Sequence, residues 1–230
     1  MRDHISSKQF REAEGVEAWR VLGDGACAFF RTASFAAAVR FVEAIGKLPD
    51  VDDHRPEIDI RNDGVTVRLI TITDDWYWLT KRDLDLARPI SVAARASGLE
   101  GDPSRLQSMF VIPGATDRAT VMPFWRAALA YEPRRDSPDE DLVDPGRRGP
   151  AFWFENMNEP RPGGLGAIHL VAWVPYEQAQ LRIAAALAAG GRMVHDDHAP
   201  EWWTLADPAG NEVDIATTMD RESASRASPN

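Results

Sequence analysis

Residues 57–69 run Glu57-Ile58-Asp59-Ile60-Arg61-Asn62-Asp63-Gly64-Val65-Thr66-Val67-Arg68-Leu69. Apolar and polar side chains alternate on both sides of Asn62-Asp63-Gly64, the period of a half-buried strand. The Asp-Gly pair supplies the backbone freedom that a tight hairpin turn requires. A hairpin with one buried face is expected here. Toward the N-terminus, Phe35, Val39, Phe41, Val42 and Ile45 form one helical stripe that Ser34 caps and Pro49 ends. Before it, residues 19–31 read as two short strands about Gly23-Asp24-Gly25. Toward the C-terminus, Thr80 opens a helix through Leu84, Leu86 and Ala87. Pro89, which lacks a donor, is expected to bend this helix before its stripe resumes through Ile90 and Val92 to Ala96.

The segment Gly98-Leu99-Glu100-Gly101-Asp102-Pro103-Ser104 combines a helix-ending glycine with an Asp-Pro turn, and a fresh apolar pattern starts at Leu106. It divides the chain into a first domain over 1–100 and a second over 104–220. The last ten residues, 221–230, are rich in Ser, Ala and charge and read as a disordered tail. The fold class is α+β, each domain a sheet partly covered by helices.

The second domain carries an internal repeat. The strand around Phe110-Val111-Ile112 precedes a helix at Pro123 to Leu129, and the strand His169 to Val174 precedes a helix at Gln178 to Ala189. Phe110 and His169 are 59 residues apart, and Glu155 moved forward by 59 lands on Asp214. Two strand–helix–strands modules are implied.

With 230 residues and 44% hydrophobic content, both domains are large enough to bury a core. The net charge of −10 argues against a nucleic-acid partner, which needs a concentrated basic face. No stretch reaches the roughly 20 apolar residues that span a bilayer. Cys27 is the only cysteine and lies in an apolar run, which reads as a buried thiol and a cytoplasmic protein.

Over residues 5–97 the chain resembles the pterin-4a-carbinolamine dehydratases. Trp19, Phe29-Phe30, Phe35 to Ile45, Asp53-His54-Arg55-Pro56-Glu57, Val65 to Leu69 and Leu79-Thr80-Lys81-Arg82-Asp83-Leu84 carry the resemblance. It implies a small sheet with helices on one face, assembly into a homodimer or larger homo-oligomer, and loss of water from a 4a-hydroxytetrahydropterin. That reaction needs a proton donor at the leaving oxygen and a base nearby, both working near neutral pH, which suits histidine. The family pattern is His-His-Pro, then Thr-His. Here His54 stands at the first histidine and Arg55 at the second, followed by Pro56 and Glu57. The Thr-His pair falls on Thr71-Ile72 or on Thr73-Asp74, and Trp78 replaces an expected glycine. His54, Asp74 and Glu57 are the catalytic candidates, with Arg55, Pro56 and Trp78 beside the substrate. Three readings stay open: an acid–base site with a substituted carboxylate, a pterin-like pocket without turnover, and a structural remnant.

Residues 107–219 resemble the glyoxalase-like branch of the vicinal-oxygen-chelate superfamily. Phe124 to Leu129, Phe152-Trp153-Phe154-Glu155, Glu159-Pro160-Arg161-Pro162, Ile168-His169-Leu170 and Asp207-Pro208-Ala209-Gly210-Asn211-Glu212-Val213-Asp214 carry this second resemblance. It implies a paired βαβββ fold with ligand positions at Phe110, Glu155, His169 and Asp214, which also line a substrate pocket. No cofactor is certain. A divalent metal on Glu155, His169 and Asp214 is one reading, a metal-free polar pocket the other. His195-Asp196-Asp197-His198 reads as a solvated loop. The functional expectation is a dehydratase-like lyase fused to a small-molecule-binding domain. The alternatives are a metal-dependent lyase, isomerase or dioxygenase in the second domain, or a non-catalytic binding protein.

Overall fold

In the computed structural model, residues 3–157, 168–206 and 212–219 are described. The Glu159-Pro160-Arg161-Pro162 segment, the Asp207 to Asn211 turn and the tail at 221–230 lie outside these residues. The chain forms two compact units: Met1–Ile72 with Tyr77–Leu106 and Thr218–Asn230, and Thr73–Trp76 with Gln107–Thr217.

The first unit holds α1 (Ser7–Arg11), β1 (Trp19–Leu22), β2 (Gly25–Arg31), α2 (Phe35–Gly46), β3 (Glu57–Arg61) and β4 (Gly64–Leu69). In chain order the short pair β5 (Thr71–Thr73) and β6 (Trp76–Trp78), of which Thr73–Trp76 is grouped with the second unit, and the long α3 (Lys81–Ala96) follow. Four strands form an antiparallel sheet in the order β1-β2-β4-β3. Alternation decides what it buries. Ala26, Ala28 and Phe30 stand opposite Leu69, Val67 and Val65, and all six are fully or almost fully buried. Phe30 meets Phe41 of α2 edge to face at 5.1 Å. Trp19 Nε1 donates to Ser91 Oγ of α3 at 2.9 Å, so the buried indole has its partner. Ser34 caps α2 by accepting from Ala37 N, as its position before the stripe implied. Pro89 does not end α3, which continues to Ala96.

The second unit contains β7 (Ser108–Ala115), α4 (Arg118–Leu129), β8 (Glu132–Pro133), β9 (Asp141–Val143), β10 (Ala151–Trp153) and β11 (Glu155–Asn156). A second set follows: β12 (Ile168–Trp173), α5 (Tyr176–Ala188), β13 (Arg192–His195), β14 (Trp202–Ala206) and β15 (Glu212–Ala216). The strand order is β13-β14-β15-β12-β7-β10-β9-β8, with β11 also on β7. Each module thus places its last strand parallel beside its first, and the two first strands pair antiparallel at the centre.

Both helices cover the same face of this sheet. Under α5 lie Ala172, Trp203, Leu205 and Ile215 with Met109. Met122 of α4 clusters with Leu142, Phe152 and Phe154, against which Val111 packs. Residues one step along each strand therefore belong to the helix-free face. No helix among the described residues is long and apolar enough to cross a membrane.

Candidate functional site

In the first unit the site grows from the start of α3. Thr80 is its N-cap, and Asp83 sits at the third helical position, where an acidic side chain usually reaches back to the cap. It does so here: Asp83 Oδ2 accepts from Thr80 N at 2.7 Å and from Thr80 Oγ1 at 3.1 Å. Asp83 is 0% exposed, so every lone pair it presents needs a protein partner. Thr71 of β5 donates its hydroxyl to the same Oδ2 at 2.7 Å. The other oxygen, Oδ1, meets His54 Nε2 at 2.8 Å.

His54 lies at the end of a turn in which the Asp53 and His54 amides both donate to Asp50 O. Arg82 Nη2 donates to Asp53 O at 2.6 Å and ties this turn to the first turn of α3. Arg82 thus fixes the backbone beside His54 and Asp83 holds its ring, a side chain that is 14% exposed. Because Nε2 is committed to a carboxylate, Nδ1 is the ring nitrogen left to exchange a proton with a ligand. The arrangement is a histidine oriented by a buried carboxylate, suited to general acid or base work.

The sequence candidates fall on both sides of this site. His54 is in it. Asp74 is not the carboxylate that meets it: its side chain is 97% exposed and pairs with Arg135 at 3.1 Å. Thr73, the alternative threonine, donates to Asp75 at the surface, whereas Thr71 reaches the buried carboxylate. Glu57 is held by Arg68, which also binds Asp24. Burial works against the Arg68 charge, but Asp24 and Glu57 outweigh it and raise the guanidinium above its ordinary value. Arg55 points into solvent near Asp52. Pro56 is half-buried and Trp78 is buried in β6. Asp83 and Thr80 are the site residues that motif reading missed.

In the second unit, Phe110, Glu155 and Asp214 all belong to the helix-free face. Phe110 stands opposite Val171, and Val171 opposite Asp214. The Phe110 ring meets Trp173 edge to face at 6.0 Å. Thr204 Oγ1 donates to Asp214 Oδ1 at 2.6 Å. Phe152 and Phe154 are buried on the helix side, so Trp153 and Glu155 project the other way. His169 stands opposite Ile112 in the ladder, and its side chain lies outside what is described.

The repeat is not uniform. Glu155 pairs with Gly114. Gly114 advanced by the repeat spacing reaches Trp173, and Trp173 pairs with Ala216. The counterpart of Glu155 is therefore Ala216, and the counterpart of Asp214 is Trp153. A slip of two residues preserves the face and moves the side chain roughly 7 Å along the strand. Where the second module has His169 and Asp214, the first has Phe110 and Trp153, neither with a donor for a divalent cation. Among the described residues no three His, Cys, Asp or Glu side chains are grouped to hold a metal. At the repeat-equivalent positions the first module therefore does not fit the metal centre that the fold resemblance implies. The other loop candidate, His198, stacks on Trp202 at 3.9 Å.

Comparison with known proteins agrees with this division. The family model described as pterin 4 alpha carbinolamine dehydratase matches residues 3–93, and that of a glyoxalase-like domain matches 109–216. Three relatives carry the name pterin-4-alpha-carbinolamine dehydratase as a provisional one. That of Nocardia farcinica is 35% identical over 40% of this chain and 95% of its own. That of Roseiflexus sp. is 34% identical over 39% and 96%, and that of Acidobacterium capsulatum 36% over 33% and 79%. The chain belongs to the pterin-4-alpha-carbinolamine dehydratase family through its first domain. Its second domain is glyoxalase-like. A solved glyoxalase/bleomycin resistance protein/dioxygenase superfamily member from Vibrio splendidus aligns with 47% of this chain and 97% of its own, at 15% identity and a TM-score of 0.30. The dehydratase relatives match less than half of this chain, so their names bear on the first domain.

Proposed function

We propose that the dehydratase domain removes water from a 4a-hydroxytetrahydropterin, with His54 as its acid–base residue and Asp83 as the group that positions it. The observation that carries this reading is the 2.8 Å contact between His54 Nε2 and the fully buried Asp83. A carboxylate with no solvent exposure that accepts hydrogen bonds at both oxygens has a fixed orientation, and fixes that of the ring it meets. In the reaction the C4a–O bond breaks, the hydroxyl leaves as water after taking a proton, and the ring nitrogen N5 loses its own. His54 Nδ1 would deliver the first proton and recover one when the cycle closes.

The proposed setting is the cytoplasm, where the lone buried Cys27 stays reduced. The proposed working form is a homodimer or larger homo-oligomer, since α2 leaves Phe35 and Val39 uncovered at 66% and 43% exposure, one turn apart. The test is dehydration of a freshly generated 4a-hydroxytetrahydropterin by the full-length protein, followed by absorbance. A rate above buffer that falls by roughly 10² or more in His54→Ala is expected. A wild-type rate equal to buffer would sink the proposal.

A further inference from the structure

The segment Asp3-His4-Ile5 runs along the start of α3. Ile5 N donates to Leu79 O at 3.2 Å and Lys81 N donates to Asp3 O at 2.8 Å, one bond on each side of the antiparallel pair His4 and Thr80. Two residues enclosed in this way form the non-hydrogen-bonded kind of pair, with Cα atoms about 4.5 Å apart and side chains on one side. Thr80 suits the pairing because its backbone before the helix is extended, at φ −129° and ψ 175°. Alternation assigns the neighbours to the opposite side. Ile5 and Leu79 stand there in the core, at 7% and 0% exposure. Asp3 Oδ1 meets Lys81 Nζ at 3.4 Å. His4 is half-buried and shares the side of Thr80. The Thr80 hydroxyl on that side lies 3.1 Å from Asp83 Oδ2 and 2.8 Å from the Thr71 hydroxyl, and Asp83 holds His54. The pairing thus brings a second imidazole to the His54 network.

We infer that His4 is the second acid–base residue of the dehydration site, the base that takes the N5 proton while His54 protonates the leaving hydroxyl. The inference rests on the dehydratase reading and adds a group which that reading lacks. The reaction handles two protons at two atoms. The C4a–O bond breaks as the oxygen gains one, the N5 electron pair closes a C4a–N5 double bond, and N5 releases the other. His54 has one ring nitrogen for this work, because Nε2 is committed to Asp83. A single nitrogen cannot give at one atom and take at the other in the same step. Asp74 does not serve, since its side chain is 97% exposed and paired with Arg135. A neutral imidazole is a base near neutral pH, and it places no second negative charge beside the buried Asp83. The path from His4 to His54 runs through Thr80 and Asp83, which suits two reacting atoms rather than one. His4 then passes its proton to solvent, and His54 regains one from solvent.

The test is the pH profile of kcat/KM for dehydration by the full-length protein, together with the imidazole signals of both histidines in NMR titrations with biopterin. A base must be neutral and an acid protonated, so wild type should give a bell-shaped profile. His4→Gln should lower the rate by roughly 10² and remove the acidic limb while the alkaline limb stays. Added imidazole should restore part of the rate in His4→Ala, which a packing role would not produce. Full rate with an unchanged profile in His4→Gln, while wild type dehydrates, would overturn this inference alone. A reduced rate that keeps both limbs and is not rescued by imidazole would do the same. A wild-type rate equal to buffer sinks the dehydratase reading and the base role with it. Biopterin shifts at both histidines would then still place His4 in a pterin site, and a shift at His54 alone would remove it.

Discussion

Thr71 donates its hydroxyl to Asp83 Oδ2 at 2.7 Å and stands 2.8 Å from the Thr80 hydroxyl that shares this acceptor. Two hydroxyls and one amide thus fix one oxygen of a buried carboxylate and turn the other toward His54. Thr71→Val keeps the shape of the side chain and removes one donor. We expect it to lower unfolding free energy by about 1–3 kcal/mol, the cost of leaving a buried acceptor under-satisfied. Denaturant unfolding measures this. Thr71→Ser should restore most of the loss, and equal damage from both substitutions would assign the effect to packing.

Asp83→Asn separates charge from shape. The amide retains one acceptor oxygen but cannot accept at both positions, so one of its N–H groups must face His54 or the threonine pair. Dehydration should fall by on the order of 10²–10⁴, the usual range for a proton-transfer residue or the group that orients it. Circular dichroism should remain that of a folded protein. Full activity in Asp83→Asn would remove Asp83 from the mechanism and leave His54 to act alone.

Much of the first domain was legible because its signals are local. The alternation on both sides of Asn62-Asp63-Gly64, the cap at Ser34 and the stripe of α2 each act within a few residues. Asp83 was not legible as a site residue, because an acid three positions after Thr80 reads as a cap. One signal was present: Asp83 falls on the buried stripe with Leu86, Ala87, Ile90 and Ala94, where a charge needs a partner. That partner, His54, is 29 residues away, a pairing that only the tertiary fold makes. In the second domain the sequence marked both first strands, β7 and β12, but one spacing of 59 cannot hold for first and last strands together. The two-residue slip of the last strands was invisible, since an even shift leaves the alternation intact.

The shared core of sheet and α2 gives a stability prediction. Phe41 is 0% exposed and meets Phe30 at 5.1 Å. Phe41→Ala removes the ring and leaves a cavity that the flanking β4 side chains cannot fill. A loss of about 3–5 kcal/mol is expected, enough to unfold a marginal domain at ambient temperature. Phe41→Leu should cost distinctly less, and equal effects would mean that the ring is not packed as described.

Acid should weaken the loop between β9 and β10. Asp144 accepts from the backbone amides of Gly149, Arg148 and Gly146 at 2.9, 2.9 and 2.8 Å. These bonds hold its carboxyl below the ordinary 3.8. A depressed folded-state value contributes stability that is present above about pH 4 and is lost as pH falls through the folded value. Asp141 runs the other way: burial raises its carboxyl against the pull of Arg134, so its share of stability is present at low pH and is lost as pH rises through the raised value. The melting-temperature difference between wild type and Asp144→Ala should therefore shrink below pH 4. For Asp141→Asn, any deficit relative to wild type should shrink, or turn to a gain, as pH rises above about 4. A difference that stays constant with pH in both would contradict these assignments.

The last expectation concerns metal. Phe110 occupies the first-strand position of the first module, and Trp153 is the counterpart of Asp214 in the last strand. Neither offers nitrogen or oxygen from its ring face to a divalent cation, so the first module supplies no ligand at the repeat-equivalent positions. Glu155 stands two residues beyond, opposite Gly114. At the equivalent positions the sequence of the second module has His169 and Asp214, and Asp214 already accepts the Thr204 hydroxyl. Catalytic metal sites hold their ion with about three protein ligands, and two from one side bind too weakly to survive purification. Protein prepared without chelators or metal-affinity resin should therefore contain far less than one equivalent of any divalent metal by elemental analysis. Added nickel, manganese or zinc at tens of micromolar should not raise the melting temperature of the second domain, because only an ion that binds the folded state stabilises it. One equivalent of tightly held metal, lost together with several degrees of melting temperature in Asp214→Asn, would show that Glu155, His169 and Asp214 converge despite the slip.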